Sequence, residues 1–225
     1  MSNGIRDRLR RAAGGKDGSL AARLRQRRFE HIRSQLRKVP KPYSILDAGG
    51  TPGYWHTVGM GDEPGVEIVL INLKPVEVDQ PNMRAVVGSA TDMHQFTDRQ
   101  FDVVFSNSVI EHVGGFAEQQ RMADEVRRIG SRYYVQTPNR YFPMEPHFLF
   151  PFFALLPVPA RAFLLRHLSL GWYSRVEDRQ ESYDLARSIR LLTRKEMRTL
   201  FPGSELVRER FLGMTKSFSV FGGDW

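Results

Sequence analysis

The sequence predicts an α/β protein: a mostly parallel seven-stranded sheet finished by a C-terminal antiparallel hairpin, with helices on both faces. Three observations lead there. Apolar runs of five to eight residues recur with helix-length segments between them, the rhythm of strand–helix–strand units. The runs are apolar at consecutive positions, as strands covered on both faces are. The last two runs are joined only by Leu212-Gly213-Met214-Thr215, a connection short enough to require an antiparallel pair.

Taken in order, residues 1–18 are rich in Gly and Arg without periodicity, the composition of a disordered arm. A helix is expected from Ser19, a plausible N-cap, to Val39, with Phe29, Ile32, Leu36 and Val39 on one stripe. Pro40 and Pro42 end it. Strands are expected at Tyr43–Ala48, Val66–Leu73, Met83–Val87, Phe101–Ser106 and Arg132–Gln136, with a helix from about Phe116 to Ile129. After residue 140 the rhythm breaks. His147–Trp172 is dense in Phe and Leu but is interrupted by Pro151, Pro157 and Pro159, and carries Arg161 and Arg166, so it does not read as a bilayer span. A helix near Thr193–Leu200 and strands at Glu205–Phe211 and Lys216–Phe221 close the chain. The expected division is a basic arm and helix over 1–41 and one domain over 42–225, with an apolar, lid-like insert at about 139–192.

Composition narrows the chemistry. Cysteine is absent, which removes disulfides, thiolate metal sites and a thiol nucleophile. The basic start has no apolar core behind it and does not read as a secretory signal, so a cytoplasmic protein is expected. The net charge of +8 is localised: residues 1–41 hold 13 Lys/Arg against 3 Asp/Glu, and the remainder holds 20 against 22. The body is close to neutral. The arm suits a phosphate-rich surface, anionic lipid or RNA, or is simply a solvated, frayed segment.

The chemically informative stretch is Ile45-Leu46-Asp47-Ala48-Gly49-Gly50-Thr51-Pro52-Gly53, an apolar strand running into an acid and a glycine-rich turn. Such a turn lets backbone approach a ligand at the carboxyl end of a first strand, where open α/β sheets bind cofactors. The dinucleotide pattern G-x-G-x-x-G is not met, which disfavours nicotinamide and flavin enzymes. A glycine-rich turn without a ligand is the plain alternative.

The stretch resembles motif I of class I S-adenosylmethionine (SAM)-dependent methyltransferases, an acid followed by G-x-G-x-G on a Rossmann-like sheet. Asp47, Gly49 and Gly53 match it, and Thr51 stands at the middle glycine. Further matches follow in the family's order. Asn72 ends the second strand where the family places an acid for the ribose hydroxyls. Gly88-Ser89-Ala90-Thr91-Asp92 resembles the G-D-A segment beside adenine, with Ser89 in place of Asp. Residues 101–113, FDVVFSNSVIEHV, resemble the fourth strand and following loop of ubiquinone- and menaquinone-type methyltransferases, in which a Glu-His pair begins the next helix. The segment from Glu209 to Ser217 resembles the family's final hairpin. The resemblance implies SAM as cofactor, bound by Asp47, Gly49, Gly50, Thr51, Gly53, Asn72, Leu73, Ser89, Ala90, Asp92 and Asn107.

Methyl transfer from a sulfonium is an in-line displacement, and a hydroxyl acceptor benefits from a general base. His112 and His147 follow the fourth and fifth strands, whose ends frame the acceptor side, and are the candidate catalytic residues, with His112 slightly favoured. No two histidines have ligand spacing with a carboxylate, so no metal is expected. The loop Thr137–His147 carries polar groups, aromatics and three prolines, and Asn139, Tyr141 and Glu145 are candidate substrate contacts; a rigid connector is the plain alternative. The insert reads as a lid, an interfacial membrane element or an ordinary apolar cap.

The expected function is methyl transfer to a small-molecule, glycan or lipid-type acceptor, most simply at a hydroxyl oxygen. The arm and insert together would give peripheral contact with an anionic membrane. The alternatives are an RNA methyltransferase, disfavoured by the neutral body and by Ser106-Asn107-Ser108-Val109 where Asn/Asp-Pro-Pro-Tyr would stand, and a SAM-binding protein without catalysis.

Overall fold

A computed structural model describes residues 20–225; the arm over 1–18 and the proposed cap Ser19 lie outside the described residues. Helix α1 (Leu20–Leu36) leads to β1 (Tyr43–Ala48), the short α2 (Pro52–Thr57), β2 (Val66–Asn72), β3 (Met83–Val87) and β4 (Phe101–Asn107). A 3₁₀ turn at Ile110–His112 precedes α3 (Phe116–Ile129) and β5 (Gly130–Pro138). The insert follows with the two-residue strands β6 (Met144–Glu145) and β7 (Phe150–Pro151), then α4 (Val158–His167) and α5 (Arg179–Arg187). Helix α6 (Arg194–Leu200) and the hairpin β8 (Glu205–Phe211) and β9 (Met214–Gly223) complete the chain.

The main sheet has seven strands in the order β3-β2-β1-β4-β5-β9-β8. The first five are parallel, and β9 runs antiparallel to both β5 and β8. This is the Rossmann-like arrangement expected, with the hairpin at its end. Two crossovers differ from the expected strand–helix rhythm. Residues 73–82 and 88–100 contain no helix, and Pro75 and Pro81 make the first of them a poor helical segment.

Each face of the sheet is covered by a different layer. Leu46, Val69, Val104 and Val135 face Met122, Val126 and Ile129 of α3 and Met197 and Leu200 of α6. Ile45, Ile68, Val103 and Tyr134 face Phe29, Ile32 and Leu36 of α1, together with Trp55 of α2. Phe29, Ile32 and Leu36 of the stripe read from the sequence are therefore the face that α1 buries; the helix ends at Leu36 rather than Val39, and Val39 joins the same core from the turn that follows. The insert has its own small core, in which Phe148 and Phe153 pack with Ala162 and Leu165 of α4 and with Ala186 and Ile189. Phe152, Leu155, Phe163 and Trp172 stand exposed around it. No helix among the described residues is long and apolar enough to cross a membrane.

Candidate functional site

At the carboxyl end of β1 the chain turns through Gly49, whose φ is +81° and whose N–H donates to Ile71 O (2.8 Å). A Cβ on Gly49 would lie 2.7 Å from the Val109 side chain. A Cβ on Gly50 would lie 1.6 Å from Asp47 Oδ2, so only glycine fits above that carboxyl. Asp47 is buried and accepts a hydrogen bond from Trp55 Nε1 (2.7 Å). Burial pushes its pKa up to about 7 against the opposing effect of that bond. Thr51 is the N-cap of α2 without a side-chain cap, and Pro52 occupies its first turn.

The neighbouring strands finish at the same edge. Asn72 Nδ2 donates to Gly50 O (2.8 Å), tying β2 to the glycine loop. Leu73, next in sequence, is 78% exposed, an apolar side chain standing free at that edge. Ser89 Oγ lies 2.8 Å from Thr91 Oγ1, Ser89 pairs with Asp92 in an isolated bridge, and Asp92 contacts His94 on the surface; Ala90 is half-buried between them. Asn107 Oδ1 accepts from Arg28 Nη1 (2.9 Å), and the same guanidinium pairs with Glu209 of β8 (2.8 Å). Arg28, which sequence reasoning missed, thus reaches from α1 to the end of β4.

A second group of polar side chains comes from the turn after β4 and the loop after β5. The Glu-His pair does not begin a long helix: it lies in the 3₁₀ turn, and Gly114-Gly115 intervene before α3. Glu111 is fully buried; its Oε2 accepts from Thr137 Oγ1 (2.9 Å), and its Oε1 has no hydrogen-bond partner among the described residues. Desolvation raises its pKa to about 7. His112 and His147 meet edge to face, with ring centroids 4.8 Å apart. Burial, reinforced by the charge of His147, lowers His112 to about 4, so it is neutral across the ordinary pH range.

His147 behaves in the opposite sense. Burial pulls its pKa down, but the hydrogen bond between Nδ1 and Glu145 Oε1 (2.7 Å) and the charges of Glu145 and Glu111 outweigh burial and raise it. Glu145 Oε2 also accepts from the backbone N–H groups of His147 (2.9 Å) and Phe148 (2.6 Å). Glu145 is therefore spent on holding His147. Asn139 is likewise engaged internally, donating to Thr215 O (2.8 Å) and accepting from Tyr141 N (3.1 Å). Tyr141 is exposed.

One ligand atom from each of Glu111, His112 and His147 lies within 4.8 Å of the others. Two imidazoles and a carboxylate form a donor set suited to a divalent transition-metal ion, and Glu145 would orient one of the imidazoles from behind. Spacing had suggested no such group. The fold supplies it by bringing residue 147 back onto the turn at 111–112.

Glu145, the partner of His147, also lines a cavity of about 430 Å³ between Gly114-Gly115 and the insert. A larger cavity, about 700 Å³, lies at the opposite edge of the sheet against Tyr43, Val66 and Met83, remote from the glycine loop.

Comparison with known proteins agrees with the fold. Residues 46–132 match the family model described as a methyltransferase domain. The carbon methyltransferase CurJ has a similar fold, with a TM-score of 0.58 at 12% identity over 93% of this chain and 56% of that one. The PH0226 protein from Pyrococcus horikoshii OT3 gives a TM-score of 0.55 at 15% identity, over 91% of both chains. An uncharacterized protein of Mycobacterium tuberculosis is 37% identical over 71 residues, 32% of this chain and 24% of the relative. The match thus spans about a quarter of that relative's length. The family match runs from within β1 to the start of β5.

Proposed function

We propose that the protein transfers the methyl group of SAM to a hydroxyl oxygen on a small-molecule, glycan or lipid-type acceptor. In the displacement the S–CH₃ bond breaks, the O–CH₃ bond forms, the sulfonium becomes a thioether, and the hydroxyl proton passes to a base. The observation that carries the reading is the Glu145–His147 pair beside His112, at the carboxyl ends of β4 and β5. Glu145 fixes Nδ1 of His147 and leaves Nε2 as the proton acceptor, an arrangement that raises basicity and sets the tautomer. His147 is the proposed base, and neutral His112 lines the same space.

The glycine loop at Gly49–Gly53 would pass under the methionine and ribose of SAM, braced by Asp47 from beneath and by Asn72 from the side. Leu73 and the Ser89–Asp92 turn would flank the adenine, and Asn107 would lie near the methionine end. The likeness of residues 101–113 to the ubiquinone type belongs to this same reading. An RNA acceptor and binding without catalysis are the competing readings.

The test is transfer of radiolabelled methyl from SAM into cell extract, followed by partition between organic and aqueous phases. Nuclease-resistant label in either phase is expected, and label in the organic phase identifies a lipid-type acceptor. Label released by nuclease would replace the reading with an RNA acceptor. Binding of S-adenosylhomocysteine without any transfer would replace it with a non-catalytic role.

A further inference from the structure

The cavity beside the Glu111–His112–His147 cluster has a lining that the methyl transfer itself does not require. Four arginines border it: Arg140 from the loop after β5, Arg161 on α4, Arg187 at the end of α5, and Arg190 just beyond. Among the described residues Glu145 is the one carboxylate on the wall, and its oxygens are already taken by His147 and by the Phe148 N–H. Arg190 is neutralised, pairing with Glu196 and donating to Gln119 Oε1 (2.6 Å). Arg187 lies over the Tyr183 ring, 5.6 Å from its centre, an interaction that leaves its charge in place. Arg140 and Arg161 make no ion pair among the described residues, and Arg161 Nε is buried without a hydrogen-bond partner. Burial and the nearby charge of Arg140 both disfavour the charged form of Arg161.

Two like charges held together in a partly dry cavity, one with an unsatisfied buried donor, make a costly arrangement unless an anion shares the space. The planar guanidinium fork fits an oxyanion with two parallel hydrogen bonds, which a lysine would not do. The rings of Phe148 and Phe153 on the wall would cover the apolar part of such a ligand. We propose that the cavity is the subsite for an oxyanion, phosphate or carboxylate, carried by the acceptor, with Arg140 and Arg161 gripping it and Arg187 supplying further charge. The subsite rests on the methyltransferase reading and specifies it: the acceptor is anionic. Its reactive hydroxyl would lie toward His147, because Glu145 belongs both to the cavity wall and to the His147 pair.

Titration of the full chain with inorganic phosphate at low ionic strength tests the subsite without the acceptor. Wild type should bind, and Arg161→Gln and Arg140→Gln should each weaken binding about tenfold or more. Arg161→Lys should recover part of the loss, and Arg84→Gln at the far edge of the sheet should change nothing. The two Gln variants lie on different segments, so a folding defect in one leaves the other to decide. Phosphate affinity indifferent to both would overturn the proposal.

The second measurement is anion-exchange chromatography of the methyl-labelled product. Retention supports the subsite; passage straight through the column overturns it. Retention abolished by a phosphatase assigns a phosphate, and retention that survives assigns a carboxylate; an organic-phase product that is retained places the anion on a lipid headgroup. With the purified acceptor, Arg161→Gln should raise KM far more than it lowers kcat, while S-adenosylhomocysteine binding stays at the wild-type level. Loss of that binding in the wild type itself would count against the methyltransferase reading and leave the phosphate titration standing.

Discussion

Asp47 acts from beneath the glycine loop. Its carboxyl fills the space where a Gly50 side chain would go, and Trp55 Nε1 holds it there. Replacing Trp55 with Phe keeps most of the apolar packing but leaves a buried carboxyl without its donor. The expected loss is about 1–3 kcal/mol of unfolding free energy, read from denaturant midpoints. His147 offers a kinetic counterpart. His147→Gln should lower kcat by about 10²–10⁴-fold with S-adenosylhomocysteine affinity unchanged. The base must be neutral to accept a proton, and its pKa is raised, so the rate should climb with pH above the ordinary histidine range. His112→Gln should leave that limb in place; its disappearance in that variant would move the role of base to His112. The positions of Asp47, Gly49 and Gly53 were legible because a strand, an acid and glycines stand together in sequence. The partners of His147 were not, because Glu111 and His112 lie 36 and 35 positions before it in the chain and meet it through a loop whose path no local pattern specifies.

At the scale of elements, legibility followed the strength of the local signal. Strands β1 and β3 and helix α3 occupy the spans read from the sequence, because their apolar runs and periodicity are bounded by proline, glycine or a change of period. The helix expected near Thr193–Leu200 is α6, and in the structure Thr193 and Glu196 form a capping box at its start. Thr193→Ala should cost about 0.5–2 kcal/mol, measurable as a lowered denaturant midpoint. The crossovers after β2 and β3 were not legible as loops, since their length alone suggested helices. The insert was harder still. Its Phe and Leu content gave an apolar element, but the arginines that α4, α5 and the loop after β5 turn toward one cavity come from segments about 20 to 50 residues apart. The stripe on α1 was plain, and it is a core face: Ile32→Ala should destabilise the fold by about 2–5 kcal/mol, as removal of a buried side chain at a sheet–helix interface does.

For the whole molecule, buried carboxyls set part of the pH dependence of stability. Glu111 has a folded-state pKa of about 7, above its ordinary 4.5. Its contribution is therefore fully present below about pH 4.5 and is lost as pH rises through about 7, where the folded state must carry a buried charge. Other groups titrate in the same window, with lowered His112 acting in the opposite direction, so the comparison between variants isolates the effect. Glu111→Gln keeps an acceptor for Thr137 and removes the charge. Relative to wild type it should gain stability as pH rises from about 4.5 to above 7, by on the order of 1–3 kcal/mol. A difference that stays flat across that range would show that Glu111 ionises at its ordinary value.

The placement of β9 has a consequence for how the chain is made. This strand lies inside the sheet, between β5 and β8, although it comes last among the described elements. While synthesis proceeds, β5 presents a row of unpaired N–H and C=O groups, and β8 has nothing to join. The half of the sheet that carries the glycine loop can assemble early, but completion of the sheet waits on β9, which follows its other strands in the chain. During that interval the hydrophobic side chains of β5 and α6 are the surfaces a chaperone would shield, and a chain broken before Met214 would carry the glycine loop on a sheet that cannot close.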